Sequence, residues 1–178
     1  MIRALLALTL CASAAAATWD ASQPVRWRID KRAPAWFREA ACFAVGQWQG
    51  AAAGVLEFEE CTQGQGRELD EDGVIVITLD RSGKLIPDKR CHYGVASISQ
   101  TPGSGRIGGV VVAMNQKCFD WRRDPVLLKA VLVHEIGHAL GLEHSEHPEA
   151  TMWPTGQERG QSLHPEDVAA FKKLYGGG

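Results

Sequence analysis

The chain has 178 residues, of which 45% are hydrophobic, and its formal net charge at pH 7 is −2. This length supplies one globular domain with a sizeable core and leaves little material for a second. Because no run of Lys and Arg exceeds two residues, the sequence argues against a basic surface of the kind that binds nucleic acid.

The first segment, MIRALLALTLCASAAAATWD, has a basic residue at Arg3, then an apolar stretch, then small residues up to Ala17. This pattern predicts a secretory signal peptide over residues 1–17 and a mature chain that starts near Thr18. The apolar part is too short to span a bilayer, so no stable membrane association is expected. Lipid attachment at Cys11 is disfavoured because a large residue precedes it. We therefore expect a secreted protein, either extracellular or periplasmic.

Four cysteines remain after the predicted cleavage: Cys42, Cys61, Cys91 and Cys118. An even number in an exported chain favours two disulfides over free thiols. No pair has the C-x-x-C spacing of a metal site, which argues against metal binding by these residues. Three pairings are possible at this point.

The first half of the chain reads as strands around one helix. The segment 25–30 (VRWRID) alternates apolar and polar residues as a half-buried strand does. A helix is predicted over residues 35–52, after Pro34. Two further strands are predicted at 55–61 (VLEFEEC) and 73–80 (GVIVITLD), separated by a polar segment.

Two more predicted strands, 93–100 (YGVASISQ) and 107–116 (IGGVVVAMNQ), flank the turn-forming stretch TPGSGR. A hairpin is the economical interpretation. If its turn centres between Ser104 and Gly105, position 91 falls opposite position 118.

That register selects among the three cysteine pairings. It places Cys91 and Cys118 across the open end of the hairpin and predicts a disulfide between them. Cys42 is then left to pair with Cys61. Each bridge closes a loop of about 20 to 30 residues, which stabilises a fold by roughly 3 kcal/mol in the chain-entropy model.

The last third of the chain is helical. A second helix is predicted from Asp124 or Pro125 to about Leu140, and a third in PEDVAAFKKLYG, residues 165–176. Strands early and helices late predict an α+β domain with five strands and three helices.

The stretch VLVHEIGHALGLEHSE lies within the second helix and just beyond it. His134 and His138 are four residues apart, so they project from one helix face and can share a metal ion. Glu135 lies between them, where a carboxylate can act as a general base on water without ligating the metal. Gly141 can end the helix in a left-handed conformation and return His144 to the ion. Three nitrogens with one open position are the arrangement of a catalytic zinc.

Three other histidines are possible metal ligands by residue type. His147 follows His144 by three residues and is the alternative third ligand, but the turn at Gly141 favours His144. His92 and His164 lack metal-ligand spacing and are interpreted as surface histidines.

At these residues the sequence resembles a known family. HEIGHALGLEH fits the extended zinc motif of the metzincin metallopeptidases, and Ser145 after the third histidine narrows the resemblance to matrixins, the clan of the matrix metalloproteinases. The segment ATMWP resembles the matrixin Met-turn, which implies that Met152 forms an apolar floor beneath the zinc ligands. The resemblance implies a metzincin-like zincin domain over residues 18–178, with a twisted, mixed five-stranded sheet and three helices.

The sequence also departs from the family. Matrix metalloproteinases keep a structural zinc and calcium ions near the edge strand, on histidines and aspartates. Here the approximate matching positions are Ser97, Val110, Val112 and Met114. One catalytic Zn²⁺ is therefore expected, and the resemblance does not carry structural zinc or calcium to this chain. No cysteine-switch motif precedes VRWRID, so latency through a prodomain thiol is not expected.

The resemblance also suggests where specificity resides. Ala130 lies one helical turn before His134, at the position that controls the depth of the main primed-side pocket in matrixins. Pro154 begins the loop that closes this pocket, and Gly156 stands where a tyrosine is frequent. Both small residues predict a deep pocket and a preference for a large apolar side chain directly after the scissile bond.

The sequence as a whole predicts a secreted, monomeric zinc endopeptidase that hydrolyses extended protein or peptide substrates. The exposed edge strand around residues 95–99 can pair with such a substrate. One alternative is an exported module that retains zinc and binds without cleaving, and Glu135 argues against it. A second alternative, a nonproteolytic zinc hydrolase, lacks a separate substrate-recognition motif.

Overall fold

A computed structural model describes residues 17–59, 72–86, 91–155 and 162–176. Nearly all of the expected signal peptide, Cys61 and Gly156 lie outside these ranges. The described elements, in chain order, are β1 (Arg26–Ile29), α1 (Ala35–Ala52), β2 (Val74–Asp80), β3 (Gly94–Gln100), β4 (Ile107–Asn115), α2 (Pro125–Ala139) and α3 (Pro165–Leu174). The three helices match the predicted ones within a few residues.

The four strands form one mixed sheet in the order β1-β2-β4-β3. The strands β1, β2 and β4 run parallel, and β3 is antiparallel to β4 at the edge. The central strand β2 reads VIVITLD and is buried at six of its seven positions, as expected for a strand covered on both faces. The edge strand β3 is partly or fully exposed throughout. Its outer side therefore presents backbone groups that no other strand of the described sheet pairs.

The predicted fifth strand at 55–61 is not found in the part of the chain that the structure describes. The amides of Val55 and Leu56 donate to the carbonyl of Ala52, at 2.8 and 3.0 Å, and so close the end of α1. Only a single bridge between Val25 and Phe58 remains of the expected pairing. The described fold is α+β with a mixed sheet, as predicted, but the sheet has four strands. The start of the segment 55–61 is hydrogen-bonded to the end of α1 instead of to a strand.

The hairpin of β3 and β4 forms, but its register differs from the predicted one by one residue. Gly94 lies opposite Met114, whereas a turn centred as predicted would place it opposite Asn115. An irregularity between Ser99 and Gln100 shifts the pairing further near the turn.

The disulfide between Cys91 and Cys118 is present, with the two Cα atoms 5.8 Å apart. Both cysteines lie beyond the paired strands, where the chain is free to absorb the one-residue offset. Cys42 lies in α1, but its expected partner Cys61 is outside the described residues, so that pairing stays a prediction.

The core lies between the sheet and the helices. Its largest fully buried side chains include three tryptophans and two phenylalanines: Trp27, Trp48, Trp121, Phe37 and Phe171. Ten of the fifteen residues of α2 are buried, including two that are ionisable, so this helix runs through the core. Within the described ranges, no helix is both long enough and apolar enough to cross a membrane.

Candidate metal centre and catalytic cleft

Three imidazoles converge at the end of α2. The Nε2 atom of His138 lies 3.2 Å from Nε2 of His134 and 3.2 Å from Nε2 of His144. One nitrogen from each ring lies within 4.8 Å of the other two. Within the described ranges, this is the one group of three or more His, Cys, Asp or Glu side chains placed to hold a metal ion.

Hydrogen bonds fix the orientation of two of these rings. Nδ1 of His134 lies 2.7 Å from the carbonyl oxygen of Thr151, and Nδ1 of His138 lies 2.8 Å from that of Leu142. A carbonyl can only accept, so each Nδ1 carries the proton and each Nε2 is left with a lone pair. Burial lowers the pKa of His134 to about 4 and also lowers the pKa of His138. Both rings are therefore neutral at pH 7, as metal ligation requires.

This donor set fits zinc. The Nε2 lone pairs of His134 and His138 face each other, and two lone pairs repel rather than form a hydrogen bond. A cation between them removes the repulsion. Four ligands around zinc at about 2.0–2.1 Å stand about 3.3 Å from one another, close to the spacing found here. Carbonyl acceptors behind ligating histidines are also the usual second layer of a zinc site.

Gly141 makes the turn that returns the chain to this centre. Its φ of +90° lies in the left-handed region that favours glycine. The amide of Leu142 donates to the carbonyl of Gly137 at 3.1 Å, and that of Gly141 to His138 at 2.8 Å, which closes the helix end. A side chain at position 141 would also collide with the carbonyl oxygen of Ala17. Glycine is therefore required here twice over.

Two side chains from the chain ends brace the same helix end. Trp19 Nε1 donates to the carbonyl of Ala139 at 2.9 Å, and the hydroxyl of Tyr175 donates to that of Leu140 at 2.8 Å. Carbonyls in the last turn of a helix otherwise lack partners. These bonds hold the turn that carries His138.

Glu135 lies on α2 beside the metal centre and faces the edge strand. It is 8% exposed, and its carboxylate accepts a hydrogen bond from the backbone amide of Ala96 in β3. Burial raises the pKa of Glu135 to about 7, against the opposing effect of that hydrogen bond. A carboxyl group with a pKa near the working pH suits a general base.

The Met-turn packs directly beneath the helix. Met152 is 2% exposed, and a side chain at Gly137 would collide with its sulfur and come within 2.8 Å of Trp48 Cζ2. Trp48 Nε1 donates to the carbonyl of Val133 at 2.8 Å. Helix α1, helix α2 and the Met-turn thus meet at Gly137, a position that sequence reasoning passed over.

Asp167 is a second residue that sequence reasoning missed. This buried carboxylate accepts from the amides of Thr151, Met152 and His164, at 2.8, 3.0 and 3.0 Å. The carbonyl of Thr151 in turn accepts from His134. Asp167 therefore holds the peptide that orients His134. The only sequence signal was an acidic residue in the first turn of α3, which is common at helix starts.

A cleft of about 690 Å³ runs past the metal centre, between β3 and the end of the Met-turn segment. Its lining includes Val131, Glu135 and Pro154. Ala130, the predicted pocket residue, is 1% exposed and does not line this cleft; its neighbour Val131 does. The loop 156–161 lies outside the described residues, so the predicted depth of the pocket stays a prediction.

The rim of the cleft before β3 is held by Asn115, which is buried. Its backbone amide donates to the carbonyl of Tyr93 and its Nδ2 to that of His92, both at 2.9 Å. Its Oδ1 accepts from the amide of Cys118 at 3.1 Å. Asn115 and the Cys91–Cys118 disulfide thus fix the same short segment.

The remaining histidines do not join the metal centre. The rings of His147 and His164 stack with centroids 4.8 Å apart. Nδ1 of His164 accepts from the amide of Glu166 at 3.2 Å, so this residue caps α3 rather than only occupying the surface. His92 is exposed and lines the cleft.

Comparison with known proteins agrees with this geometry. The matrixin family model matches residues 18–176. The chain is similar to interstitial collagenase B of Mus musculus, with 34% identity over 116 residues, 62% of the chain and 24% of that protein. It is also similar to matrilysin of Felis catus, 34% identical over 47% of the chain and 33% of that protein. Metalloendoproteinase 4-MMP of Arabidopsis thaliana is 37% identical over 47% of the chain and 25% of that protein. The matched segments span a third or less of each relative's length.

Proposed function

Because the chain belongs to the matrixin family, we propose that it is an exported, monomeric zinc endopeptidase that hydrolyses extended polypeptides. One observation carries this proposal: three Nε2 atoms converge beside the buried carboxylate of Glu135, at the free edge of a sheet. The histidines would hold the ion, and the edge would hold the substrate.

The free edge of β3 supports binding of an extended peptide. On the side away from β4, no neighbouring strand pairs with residues 95–99, although the amide of Ala96 donates to Glu135. A peptide laid beside them adds one strand to the sheet, and main-chain hydrogen bonds give affinity without regard to sequence. This pairing brings one peptide bond next to Glu135.

The chemistry follows from the residues around that bond. A zinc ion bound by the three histidines would supply Lewis acidity, which lowers the pKa of water and polarises a carbonyl group. Glu135 accepts a proton from the attacking water molecule while the oxygen of that water forms a bond to the carbonyl carbon. When the carbon–nitrogen bond breaks, Glu135 gives this proton to the leaving amine. Burial of Glu135 keeps bulk water from competing for the proton.

Selectivity is proposed for the side chain directly after the scissile bond. Val131 and Pro154 offer apolar surface on the side of the cleft facing β3. A leucine, methionine or phenylalanine there would bury apolar area at about 0.8 kcal/mol per methylene. Cleavage profiling with mixed peptides tests this preference, and a profile dominated by glycine or charged residues would contradict it.

Export is supported by two features. Residues 1–17 have the pattern of a signal peptide, and the Cys91–Cys118 disulfide suits an oxidising compartment. The proposed setting is extracellular or periplasmic.

The decisive experiment replaces the base and keeps the ligands. Glu135→Gln should bind zinc as the wild type does and lose about 10²- to 10⁴-fold in peptide hydrolysis, the usual contribution of a general base. Zinc content and turnover of a quenched fluorescent peptide are measured with and without a chelator. Glu146→Gln, an exposed carboxylate nearby, is the matched control and should retain full turnover.

The assay also separates the alternative function. A zinc-retaining module that binds without cleaving would bind peptides and zinc, yet show no chelator-sensitive turnover in the wild type. Turnover that survives in Glu135→Gln would contradict the proposed mechanism.

A further inference from the structure

The edge strand β3 lies in close contact with helix α2, which carries Glu135, at one residue, Gly94. A methyl group built on Gly94 would lie 3.1 Å from Cγ and 3.2 Å from Oε1 of Glu135. It would also lie 3.1 Å from the sulfur of Met114, its partner in the sheet register. Carbon atoms in contact normally stand about 3.5–4.0 Å apart. A side chain at this position would therefore push Glu135 or Met114 aside by a few tenths of an ångström.

Met114 has no room to retreat, so a side chain at Gly94 would displace Glu135 toward the cleft that it lines. Met114 is fully buried, and Glu135 is 8% exposed. Glu135 stands on a helix fixed from behind by the Trp48 hydrogen bond to Val133 and by the contact of Gly137 with the Met-turn. Close-packed interiors pass such a displacement on rather than absorb it.

The strand has little freedom to move away either. The three residues before Gly94 are held by the Cys91–Cys118 disulfide and by the two hydrogen bonds from Asn115 to the carbonyls of His92 and Tyr93. Two residues after Gly94, the amide of Ala96 donates to the carboxylate of Glu135. Since side chains alternate along a strand, Gly94 and Ala96 lie on the same face of β3. The strand thus presents two small residues and one donor to the base.

We propose that Gly94 is a positioning residue for Glu135. Its lack of a side chain lets β3 lie against the base, so that the Ala96 amide fixes the carboxylate in place. This inference rests on the proposed function, in which Glu135 is the general base. Gly94 itself touches neither the water nor the substrate's reacting atoms.

The test is Gly94→Ala, with Gly108→Ala as the matched control. A methyl group on Gly108 would meet equal crowding in the same hairpin, 3.1 Å from Thr101 Oγ1 and 3.3 Å from its backbone nitrogen, but far along the strands from Glu135. Gly94→Ala should lower kcat by about ten- to a hundredfold, the scale on which small misplacements of catalytic groups act. Its KM should change less than twofold and its zinc content should not change, because neither the binding edge nor the ligands are altered. Gly108→Ala should leave kcat unchanged.

Several outcomes overturn the inference. If Gly94→Ala keeps its kcat while Glu135→Gln is inactive, the base does not need the glycine and only this inference fails. If both alanine variants lose kcat equally, crowding of the hairpin is responsible. If Glu135→Gln remains active, the proposed function itself fails.

A second pair of variants tests the inference if Gly94→Ala folds poorly. Met114→Ala removes the sulfur beside the added methyl group, while the contact between that methyl group and Glu135 remains. The double variant Gly94→Ala/Met114→Ala is then compared with Met114→Ala alone. A lower kcat in the double variant supports the inference, and equal kcat values overturn it.

Discussion

The two walls of the cleft are held in different ways. The helix wall, formed by α2 and the Met-turn, is fixed by buried side chains that reach it from α1, α3 and the N-terminal segment. The strand wall, residues 91–100, packs on β4 alone in the sheet and is secured at its start by a disulfide and Asn115. The core therefore fixes His134 and His138, whereas local links fix the surface that would meet the peptide. Damage to the helix wall should affect zinc and kcat. Loosening of the strand wall should affect KM, except at Gly94, where the strand contacts Glu135 and a change should affect kcat.

The largest effect is expected from Asp167→Ala, which attacks the helix wall. The change leaves the amides of Thr151, Met152 and His164 without their acceptor. The Met152 bond is buried and the other two are partly buried. An unsatisfied buried donor costs about 1–3 kcal/mol and a partly buried one less, so the free energy of unfolding should fall by about 3 kcal/mol. The carbonyl of Thr151, which accepts from His134, is also no longer held in place. Zinc affinity should therefore fall about 10- to 100-fold, as for other changes to groups that orient metal-binding histidines.

Denaturant unfolding and zinc titration measure both effects. Asp120→Ala is the control, since Asp120 is a surface carboxylate paired with Arg122. Unchanged zinc affinity in Asp167→Ala would show that the Met-turn peptide does not orient His134.

A smaller effect is expected from removing the link at the strand wall. Cys91→Ala/Cys118→Ala opens a loop with a sequence separation of 27 residues. Stability should fall by about 3 kcal/mol in the chain-entropy model. Peptide KM should rise several-fold because the start of the binding edge loosens, while the zinc content should stay at the wild-type level. A double variant that loses its zinc and keeps its KM would reverse the assignment of the two walls.

The smallest effect is a pH dependence outside both walls. The Asp80 carboxylate accepts hydrogen bonds from the amides of Ser82, Gly83, Leu85 and Ile86 and from the Ser82 hydroxyl. Burial alone would raise the pKa of Asp80, but these bonds outweigh it and hold the pKa below 3.8. A depressed folded-state pKa stabilises the fold above the unfolded-state pKa of about 3.9, and the contribution disappears as pH falls through the folded-state value.

Asp80→Asn should therefore be less stable than the wild type at pH 7, and the difference should shrink below about pH 3.9. Urea unfolding at several pH values measures it, with the exposed Asp72→Asn as control. Zinc content and KM should not change. A constant difference between Asp80→Asn and wild type down to pH 2 would contradict the sign.

Much of the helix wall could be predicted from sequence, because its signals are local. The spacing of His134, His138 and His144 follows from helix geometry and one glycine turn. Asp167 could not be found in this way, since its two Met-turn partners, Thr151 and Met152, lie 16 and 15 residues away and its local pattern fits an ordinary helix start. The role of Gly94 could not be predicted either, because only the folded structure shows which atoms lie where its side chain would be.

The fold shows the same limit. The three helices followed from apolar periodicity and from Pro34 and Pro125 at their starts. The fifth strand was wrong for the described residues because hydrogen bonds at the end of α1 took the segment's first amides. The hairpin register was off by one residue over most of β3, because the turn centres before Ser104 rather than after it, and the irregularity at Ser99 and Gln100 recovers part of that offset.

The free edge of β3 also has a consequence for the behaviour of the protein in concentrated solution. An unprotected edge pairs with any strand of suitable length, including the same edge of another copy. Of the four exposed positions of β3, Ser97, Ser99 and Gln100 are polar and Ile98 is apolar, so that encounter is mostly polar. The irregularity at Ser99 and Gln100 ends the regular pairing stretch after six residues. The disulfide at the other end stops the pairing stretch from lengthening there. The edge is thus long enough to take one short peptide, while its polar residues disfavour the dry side-chain packing that a stacked fibre of identical chains requires.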